Sequence, residues 1–425
     1  MNVSINEKEI LRKYASRWME AANLPIMKER KNLWQSVKDL RAEKPAILVE
    51  TCLLSDYIRE DELQCTDPYL RNIEKSLFEI VRHTEEIGDD IVVDPYFRIP
   101  WVMELSDYGV SLQEHHASTS TGTELGYSFD FGVNSEEDIE KLHFRTRKLN
   151  KEKTKERKDF LEDIFGDILP VIVGGYDWFN RTDGYQLWLG NIYCGLTMDL
   201  FKMVGNDNLL FWVYDNPELI HKLMKLIRDD RLQHLRYLED EGLLYLNTDS
   251  WNPGPCSYGY VSELPRENLN GGKVNLKDCW LWTDSQESEP MSPEMLNEFF
   301  LPYMAEVCEL GGLVYYGCCE GLHDRFDYVK EKIPNLRAVS VSGWSDFFIM
   351  GEKLGKDYVY SRKPVPAYIS GTAPDWDLCR KDVQDTLDAA KDCNLEFCYR
   401  DLYTINYDRK RLKKWVDMTR AMIGE

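Results

Sequence analysis

The sequence contains no run of about 18 uncharged apolar residues, the length that a membrane-spanning helix needs. Its first stretch, "MNVSINEKEILRKYASRWMEAANLP", has the spacing of a charged amphipathic helix and lacks the apolar centre of a signal peptide. Both absences predict a cytoplasmic protein without a membrane partner.

Positive charge is scarce as well. The chain has 52 Lys and Arg residues against 74 Asp and Glu residues, a formal net charge of -22. Long-range repulsion at this charge argues against nucleic acid and anionic membranes as partners. The eleven cysteines are odd in number and include no C-x-x-C pair, which is typical of reduced thiols, some of them candidate metal ligands.

Nucleotide-binding loops and domain linkers are also missing. No G-x-G-x-x-G or G-x-x-x-x-G-K-[ST] motif follows a strand pattern, which argues against dinucleotide-binding and P-loop folds. No Gly/Ser-rich linker, low-complexity segment or internal repeat interrupts the chain. We therefore predict a helical N-terminal extension over residues 1–40 and a single catalytic domain over residues 41–425.

What the chain does have is a regular alternation of short β-branched or aromatic runs with amphipathic helical patterns, as in βαβ units around a parallel sheet. This alternation predicts an α/β fold, a (β/α)8 TIM barrel with a helical N-terminal extension. The predicted strands are "PAILVETC", "DDIVVDPYF", "DILPVIVGG", "LLYLNTDS", "DCWLWTDS", "GGLVYYGCC", "LRAVSVSG", "VPAYISG" and "LEFCYRD".

Polar residues gather at the predicted carboxyl ends of several strands, where the catalytic residues of a TIM barrel lie. These residues are Asn247, Asp249, Ser250, Asp284, Gln286, Glu287, Cys318, Cys319, Glu320, Ser342, Asp346, Cys398, Arg400 and Asp401. The sequence therefore predicts an active site at this edge of the sheet.

Four potential metal ligands follow one predicted strand directly: Cys318, Cys319, Glu320 and His323. Thiolates and imidazoles are preferred zinc ligands, and a catalytic zinc ion takes three protein groups and leaves one position open. Cys319 and His323 would share a face if a helix began there. The alternative is a pair of small core cysteines, a helix-capping His323 and a solvated Glu320.

Cys398 is the predicted distant zinc ligand. A barrel would bring its strand end across the mouth towards Cys318 and Cys319. The alternative is a buried free thiol, because cysteine often packs in protein cores.

Two further motifs, "NTDSWNPG" and "WLWTDSQESEP", place tryptophan beside carboxylates, which suits an aromatic ether or a cationic methyl donor. They predict Trp251, Asp284 and Glu287 as substrate-binding residues. His116, in the extended motif "EHHAS", is a further candidate for the pocket. The alternative for all four is ordinary packing or surface hydrogen bonding.

Five motifs follow one another along the chain, within a match that runs from about Lys28 to near the C-terminus: "GDILPVIVGGYDWF", "DNPELIHKLMKLI", "YGYVSELP", "TDSQESEPMSPEMLNEFFLPYM" and "GCCEGLHD". This series resembles the uroporphyrinogen decarboxylase superfamily, in particular its corrinoid-dependent methyltransferase branch. The resemblance implies a TIM barrel. It also implies one of three activities: cofactor-free decarboxylation, corrinoid-dependent methyl transfer or, more distantly, cobalamin-independent methionine synthesis.

The decarboxylases of that superfamily need an arginine-rich segment near the first strand, and here "PAILVETCLLSDYIREDE" offers only Arg59. The methyltransferases bind zinc through a His-x-Cys pair and a later cysteine. This chain lacks the histidine, having Tyr316-Gly317-Cys318 or Gly317-Cys318-Cys319, and Cys398 falls near the later position. Two replacements stay open, namely a second thiolate with Glu320, or His323. A third alternative is that zinc is absent and Glu320 is a general acid.

The resemblance therefore implies a methyltransferase, the demethylase component that moves a methyl group between a small O- or N-methylated molecule and the corrinoid of a partner protein, assisted by zinc. A methoxylated aromatic compound is one candidate substrate. No D-x-H-x-x-G pattern of a cobalamin-binding domain occurs, so the corrinoid must come from another protein. The alternative is a metal-independent decarboxylase or lyase. The direction of transfer and a homodimeric state stay open.

Overall fold

The computed structural model describes residues 3–110, 113–118, 124–175, 191–250, 253–266, 269 and 272–424. In chain order, its helices are α1 (Ile5–Ala22), α2 (Ile26–Lys38), α3 (Pro68–Glu86), α4 (Glu136–Ile139), α5 (Lys151–Phe165), α6 (Thr197–Asp215), α7 (Pro217–Asp240), α8 (Pro293–Phe299), α9 (Leu301–Cys308), α10 (Phe326–Lys332), α11 (Phe347–Leu354), α12 (Ala367–Ser370), α13 (Trp376–Ala389) and α14 (Lys410–Met422). None of these helices is both long and apolar enough to cross a membrane.

The strands of the described ranges are β1 (Ala46–Val49), β2 (Phe97–Ile99), β3 (Met103–Leu105), β4 (Gln113–Ser118), β5 (Glu124–Asp130), β6 (Arg147–Leu149), β7 (Val171–Val173), β8 (Trp280–Thr283), β9 (Leu313–Tyr316), β10 (Leu336–Val341), β11 (Val359–Arg362) and β12 (Asn394–Tyr399). A parallel sheet of six strands has the order β1-β12-β11-β10-β9-β8. The others pair as β2-β7, which is parallel, and as antiparallel β3-β6 and β4-β5.

Alternate side chains of the six-stranded sheet enter two different cores, because successive residues of a strand point to opposite faces. Tyr316 and Phe397 pack into a core with apolar residues of α7, α9 and α14. Tyr315 and Cys398 pack into the core on the other face, with residues of α1, α2 and α3. Both faces of the sheet are thus buried, as expected for parallel strands.

The two N-terminal helices pack directly against the rest of the chain. Helix α1 begins with a capping box in which Ser4 and Glu7 satisfy each other's backbone N–H groups, and it lies against α3 and α5. Helix α2 contacts β1 and β12. The indole of Trp34 donates to the carbonyl of Asp90 at 2.8 Å, and the Lys38 ammonium forms an ion pair with Glu396. The predicted extension is helical, and it covers the sheet.

The helix start that the sequence predicts at Ser292 is confirmed. Ser292 caps α8, with its hydroxyl accepting from the N–H of Met295 at 3.3 Å. The pattern after it forms two helices, because Pro302 lacks an N–H and cannot continue α8. The α/β class and the mainly parallel sheet are confirmed, whereas the closure of a (β/α)8 barrel stays a prediction.

One strand prediction is wrong, one has no counterpart, and of a third, "DDIVVDPYF", only Phe97 lies in a strand, β2. "VPAYISG" is not a strand: Pro366 precedes the short helix α12, and the strand is the preceding "VYSR", β11. "LLYLNTDS" has no strand assignment, although the Asn247 side chain bonds to both backbone groups of Trp280 in β8. β-branched and aromatic content alone did not distinguish these segments from true strands.

Candidate functional site

The carboxyl ends of β9 to β12 surround a cavity of about 500 Å³. Parallel strands bring their carboxyl ends to one edge of the sheet, which is where ligands bind in α/β folds. The cavity is lined by Cys318, Cys319, Ser342, Gly343, Trp344, Lys363, Pro364, Val365, Pro366, Tyr368, Arg400, Asp401 and Tyr403. This cavity lies at the strand ends where the sequence predicts an active site.

Two adjacent thiols form one wall. Gly317 ends β9 with a φ of 97°, a conformation that favours glycine, and so turns the chain directly after the strand. The Ser340 hydroxyl donates a hydrogen bond to the Cys318 carbonyl at 2.7 Å, which fixes the turn. The Sγ atoms of Cys318 and Cys319 are 3.6 Å apart. The hydrogen bond with Cys319 and burial raise the pKa of the Cys318 thiol well above its usual value, which favours the protonated form.

A buried guanidinium lies beside these thiols. Arg400 is 5% exposed, and its Nη1 is 3.6 Å from Cys318 Sγ. It pairs with Glu50 at 3.5 Å and with Asp401 at 3.1 Å. Asp401 has a φ of 59°, which is uncommon for a residue with a Cβ, and its carboxylate lies 3.6 Å from Cys319 Sγ. Two carboxylates thus already balance the charge of Arg400.

Behind the thiol wall lies a cluster of three carboxyl side chains, of which Asp284 and Glu320 are buried and Glu287 is half-buried. Both oxygens of Glu320 accept backbone N–H groups, from Ser285 at 3.1 Å and from Cys318 at 2.9 Å. Asp284, at the end of β8, accepts the hydroxyl of Tyr193 at 3.0 Å. Glu287 accepts from Thr197 at 2.6 Å. Glu320 is therefore one hydrogen bond away from a residue of the cavity wall.

Burial and mutual repulsion raise the pKa values of these three carboxyl side chains, which favours their protonated forms. Burial, followed by the charges of Cys318, Glu320 and Glu287, raises the pKa of Asp284 well above its usual value. Burial likewise raises the pKa of Glu320 and of Glu287, although hydrogen bonds oppose the shift. Interacting carboxyls titrate together, so these shifts describe the cluster as a whole and not each residue separately. The cluster can act as a proton donor under conditions where an exposed carboxylate cannot.

Lys363 forms a second buried cation at the cavity. It follows β11, is 5% exposed, and its Nζ is bonded to Ser361 Oγ at 2.9 Å. Its backbone N–H donates to the Val341 carbonyl at 2.9 Å, which holds its position next to β10. Burial disfavours its charge, but Cys398, Tyr315 and Glu396 outweigh burial and raise the pKa of the ammonium.

Cys398 and His323 are the other two predicted zinc ligands. Cys398 is fully buried, and its sulfur accepts from Ser361 at 3.8 Å. Burial raises the pKa of its thiol, but the hydrogen bond from Cys256 and the charge of Lys363 outweigh burial and lower it. Two strands, β10 and β11, separate its strand from β9. No helix begins at Cys319, since α10 starts at Phe326, so the proposed shared helical face with His323 is wrong.

These positions can be compared with what zinc requires. Across the described ranges, no three His, Cys, Asp or Glu side chains are arranged so that they could hold a metal ion. The guanidinium beside Cys318 would also repel a cation, and Cys398 interacts with Cys256 and Lys363 instead. The residues that the structure describes therefore do not fit zinc as they stand, and the zinc set of Cys318, Cys319, His323 and Cys398 stays a prediction.

Two predicted substrate-binding residues cannot be placed. Trp251 lies outside the described residues, and of His116 only the backbone, in β4, is described. Asp284 and Glu287 lie together with Glu320, the predicted acid, but do not line the cavity. The sequence reasoning missed Lys363 because it placed a strand over "VPAYISG". With the strand at "VYSR", Lys363 would have been recognised as a strand-end residue.

Comparisons with known proteins add little to this geometry. No protein-family model matches the chain, and no curated protein matches it. Among solved structures, a methyltransferase from Methanosarcina mazei is similar at 11% sequence identity and a TM-score of 0.48, over 93% of this chain and 98% of that chain. A likeness this distant carries no argument about function, and the resemblance to the uroporphyrinogen decarboxylase superfamily stays a prediction.

Proposed function

We propose that this protein is a methyltransferase that moves a methyl group between a small O- or N-methylated molecule and the corrinoid of a partner protein. The reaction class comes from the ordered sequence motifs. The structural observation that supports it is the cluster of buried Asp284 and Glu320 with half-buried Glu287. Glu320 accepts a hydrogen bond from the backbone of Cys318, a residue of the cavity wall at the carboxyl ends of the strands.

Demethylation of an ether or amine needs a proton donor of this kind. As the bond between the methyl carbon and the heteroatom breaks, its electron pair stays on oxygen or nitrogen, which is a poor leaving group. A proton given to that atom neutralises the developing charge and lowers the barrier. In the proposal the proton passes from the Asp284–Glu320 pair to that atom through one water molecule at the cavity wall, because neither side chain lines the cavity, and the methyl carbon forms its new bond to the acceptor.

The rest of the cavity suits a small, partly apolar substrate. Trp344, Tyr368 and Tyr403 contribute aromatic surface, and Pro364 and Pro366 contribute rigid apolar walls. Cavities of this size with apolar walls and few polar groups are typical of small-molecule sites. The protein's own contribution is then to bind the substrate, exclude water and hold the proton.

Neither zinc nor the corrinoid has a step of its own in this proposal. The described side chains do not fit zinc, so no role is assigned to it. The corrinoid is a methyl acceptor or donor carried by the partner. Substrate binding and proton donation are carried out by the side chains of this protein.

The decarboxylase alternative receives less support from the site. A substrate with several carboxylates needs several free arginines, and Arg59 is instead half exposed and bonded to Asp61 at 3.0 Å. Arg400 is already matched by two carboxylates. The cavity wall therefore has no excess positive charge to bind a substrate of this type.

The test is an assay with chemically reduced cobalamin and a panel of methoxylated aromatic and N-methylated compounds. We expect protein-dependent formation of methylcobalamin, measured by absorbance, with at least one member of the panel. Glu320→Gln should slow the reaction by roughly 100-fold or more, as expected for loss of a general acid. Glu298→Gln, at an exposed position, is the control. Release of carbon dioxide without a methyl acceptor would instead support the decarboxylase.

A further inference from the structure

The two thiols of the cavity wall lie within reach of each other and of any small molecule that enters. Cys318 and Cys319 are both half-buried, both line the cavity, and their Sγ atoms are 3.6 Å apart. The sulfur atoms of a disulfide are about 2.0 Å apart, so a modest rotation of the two side chains would join them. An oxidant in the cavity therefore meets two thiols that can react as a pair.

Access to the cavity distinguishes this pair from a second close pair of thiols. The Sγ atoms of Cys194 and Cys308 are 4.0 Å apart, but both side chains are fully buried and neither lines the cavity. Oxidation of a thiol depends on its exposure as well as on its chemistry. Because the two pairs differ far more in exposure than in spacing, the buried pair serves as an internal control.

A carboxylate lies in position to accept the first proton. The Cys319 thiol donates to Asp401 Oδ2 at 3.6 Å, and Arg400 pairs with the same carboxylate at 3.1 Å. A thiol becomes a strong nucleophile when an adjacent base removes its proton. The geometry thus makes Cys319 the attacking thiol and its neighbour, Cys318, the thiol that completes the disulfide.

We propose that Cys318 and Cys319 are a redox site that a hydroperoxide converts to a disulfide. Asp401 takes the Cys319 proton, and the sulfur attacks the peroxide. The O–O bond breaks, a sulfenic acid forms on Cys319, and the leaving oxygen takes the proton from Asp401. The Cys318 sulfur then attacks the Cys319 sulfur, and the S–O bond breaks to release water that carries the Cys318 proton. Together the thiols lose two electrons and two protons, which the peroxide gains.

The disulfide of two neighbouring residues is easily reduced again. Their Cα atoms are only about 3.8 Å apart, whereas those of a typical disulfide are about 4.4–6.8 Å apart. Such a ring is strained, and strained disulfides are the labile ones. The oxidised pair also has no S–H group to donate to Asp401, so the hydrogen bonding of the cavity wall depends on the redox state.

The test treats the full-length protein with hydrogen peroxide, blocks the remaining thiols with N-ethylmaleimide in denaturant and digests the protein with Glu-C protease. Cleavage after Glu309 and Glu320 gives a peptide of residues 310–320, whose only cysteines are Cys318 and Cys319. Mass spectrometry should find this peptide lighter by two hydrogen atoms and without maleimide. With dithiothreitol added before the block, it should carry two maleimide groups instead.

Substitutions test the order of attack. In Cys318→Ser, the sulfenic acid on Cys319 should accumulate and react with dimedone, because no neighbouring thiol completes the disulfide. Asp401→Asn keeps the size of the side chain and tolerates the positive φ, and it should slow disulfide formation at least about tenfold. Cys393→Ser, which removes a half-buried thiol outside the cavity, should behave as wild type. Thermal unfolding shows whether each variant is folded, and if Asp401→Asn is not, the other two still decide.

Several results would overturn the proposal. They are a pair that stays reduced in peroxide, oxidation to sulfinic acid without a disulfide, and oxidation of Cys194 and Cys308 as fast as that of the cavity pair. Dimedone labelling of neither thiol in Cys318→Ser, or an unchanged rate in folded Asp401→Asn, would do the same. The experiment uses no methylated compound and no corrinoid, so its outcome is independent of the proposed methyl transfer.

Discussion

Replacing Asp284 with Asn should change how the stability of the protein depends on pH. Asp284 is 1% exposed and accepts the Tyr193 hydroxyl at 3.0 Å, a bond that the Asn side-chain oxygen can keep. Burial and the charges of Cys318, Glu320 and Glu287 raise the pKa of Asp284 well above its usual value. At a pH between the pKa values of the unfolded and folded states, the folded protein therefore keeps a proton that the unfolded chain has released.

The direction and size of the change in unfolding free energy with pH follow from this difference in proton binding. For an acid with a raised folded-state pKa, the stabilisation is complete below the pKa of the unfolded chain, about 4 for Asp, and is lost as pH rises towards the folded-state pKa. Each pH unit in that window costs about 1.4 kcal/mol for one proton. From pH 5 to 7, wild-type protein should lose between about 1 and 3 kcal/mol relative to Asp284→Asn, the lower figure applying where coupled carboxyls share the titration.

The assay is urea unfolding of both proteins, followed by tryptophan fluorescence at pH 5, 6 and 7. The free energy of unfolding of wild-type protein minus that of Asp284→Asn should fall steadily as pH rises. Glu298→Gln, which removes an exposed carboxylate, controls for the loss of one negative charge. A difference that is constant over the three pH values would refute the assignment of a protonated Asp284.

Three further predictions concern the buried groups around the site. Lys38→Met should lower the free energy of unfolding by about 3–5 kcal/mol because it removes the ion-pair partner of the buried Glu396, and Lys38→Met/Glu396→Leu should recover part of the loss in the same urea assay. Gly259→Ala should destabilise by about 1–3 kcal/mol in thermal unfolding, because an added Cβ would lie 1.9 Å from the carbonyl oxygen of Asn247. Treatment with a chelator should leave methyl transfer unchanged, whereas loss of activity that zinc restores would support the sequence-based ligand set instead.

The fold could be predicted where a short apolar run alone identifies a strand. The apolar runs at β1, β8, β9, β10 and β12 are bounded by turn or helix signals, and each was placed correctly. The segments between β1 and β8, apart from β7, were harder to predict, because side chains such as that of Asn247 bond to backbone groups there in place of a regular strand ladder. Side-chain hydrogen bonds of this kind leave no periodic pattern in the sequence.

The location of the candidate site could be predicted from the sequence, but not which distant side chains meet there. Cys318, Cys319 and Glu320 follow β9 as expected, and the two thiols line the cavity. Which distant groups meet them depends on strand order: the sheet brings Arg400 and Asp401 to the thiols, while Cys398 interacts with Cys256 and Lys363. Strand order and side-chain direction arise from the whole fold, so spacing along the chain could not supply them.

The most direct test of the central claim follows the methyl group itself. The protein is incubated with reduced cobalamin and a substrate from the active panel whose transferable methyl group carries three deuterium atoms, and both products are measured by mass spectrometry. We predict trideuteromethyl-cobalamin and the demethylated substrate in equal amounts, formed roughly 100-fold more slowly by Asp284→Asn. Demethylated product without label on cobalamin, or no demethylation of any methylated compound, would contradict the account.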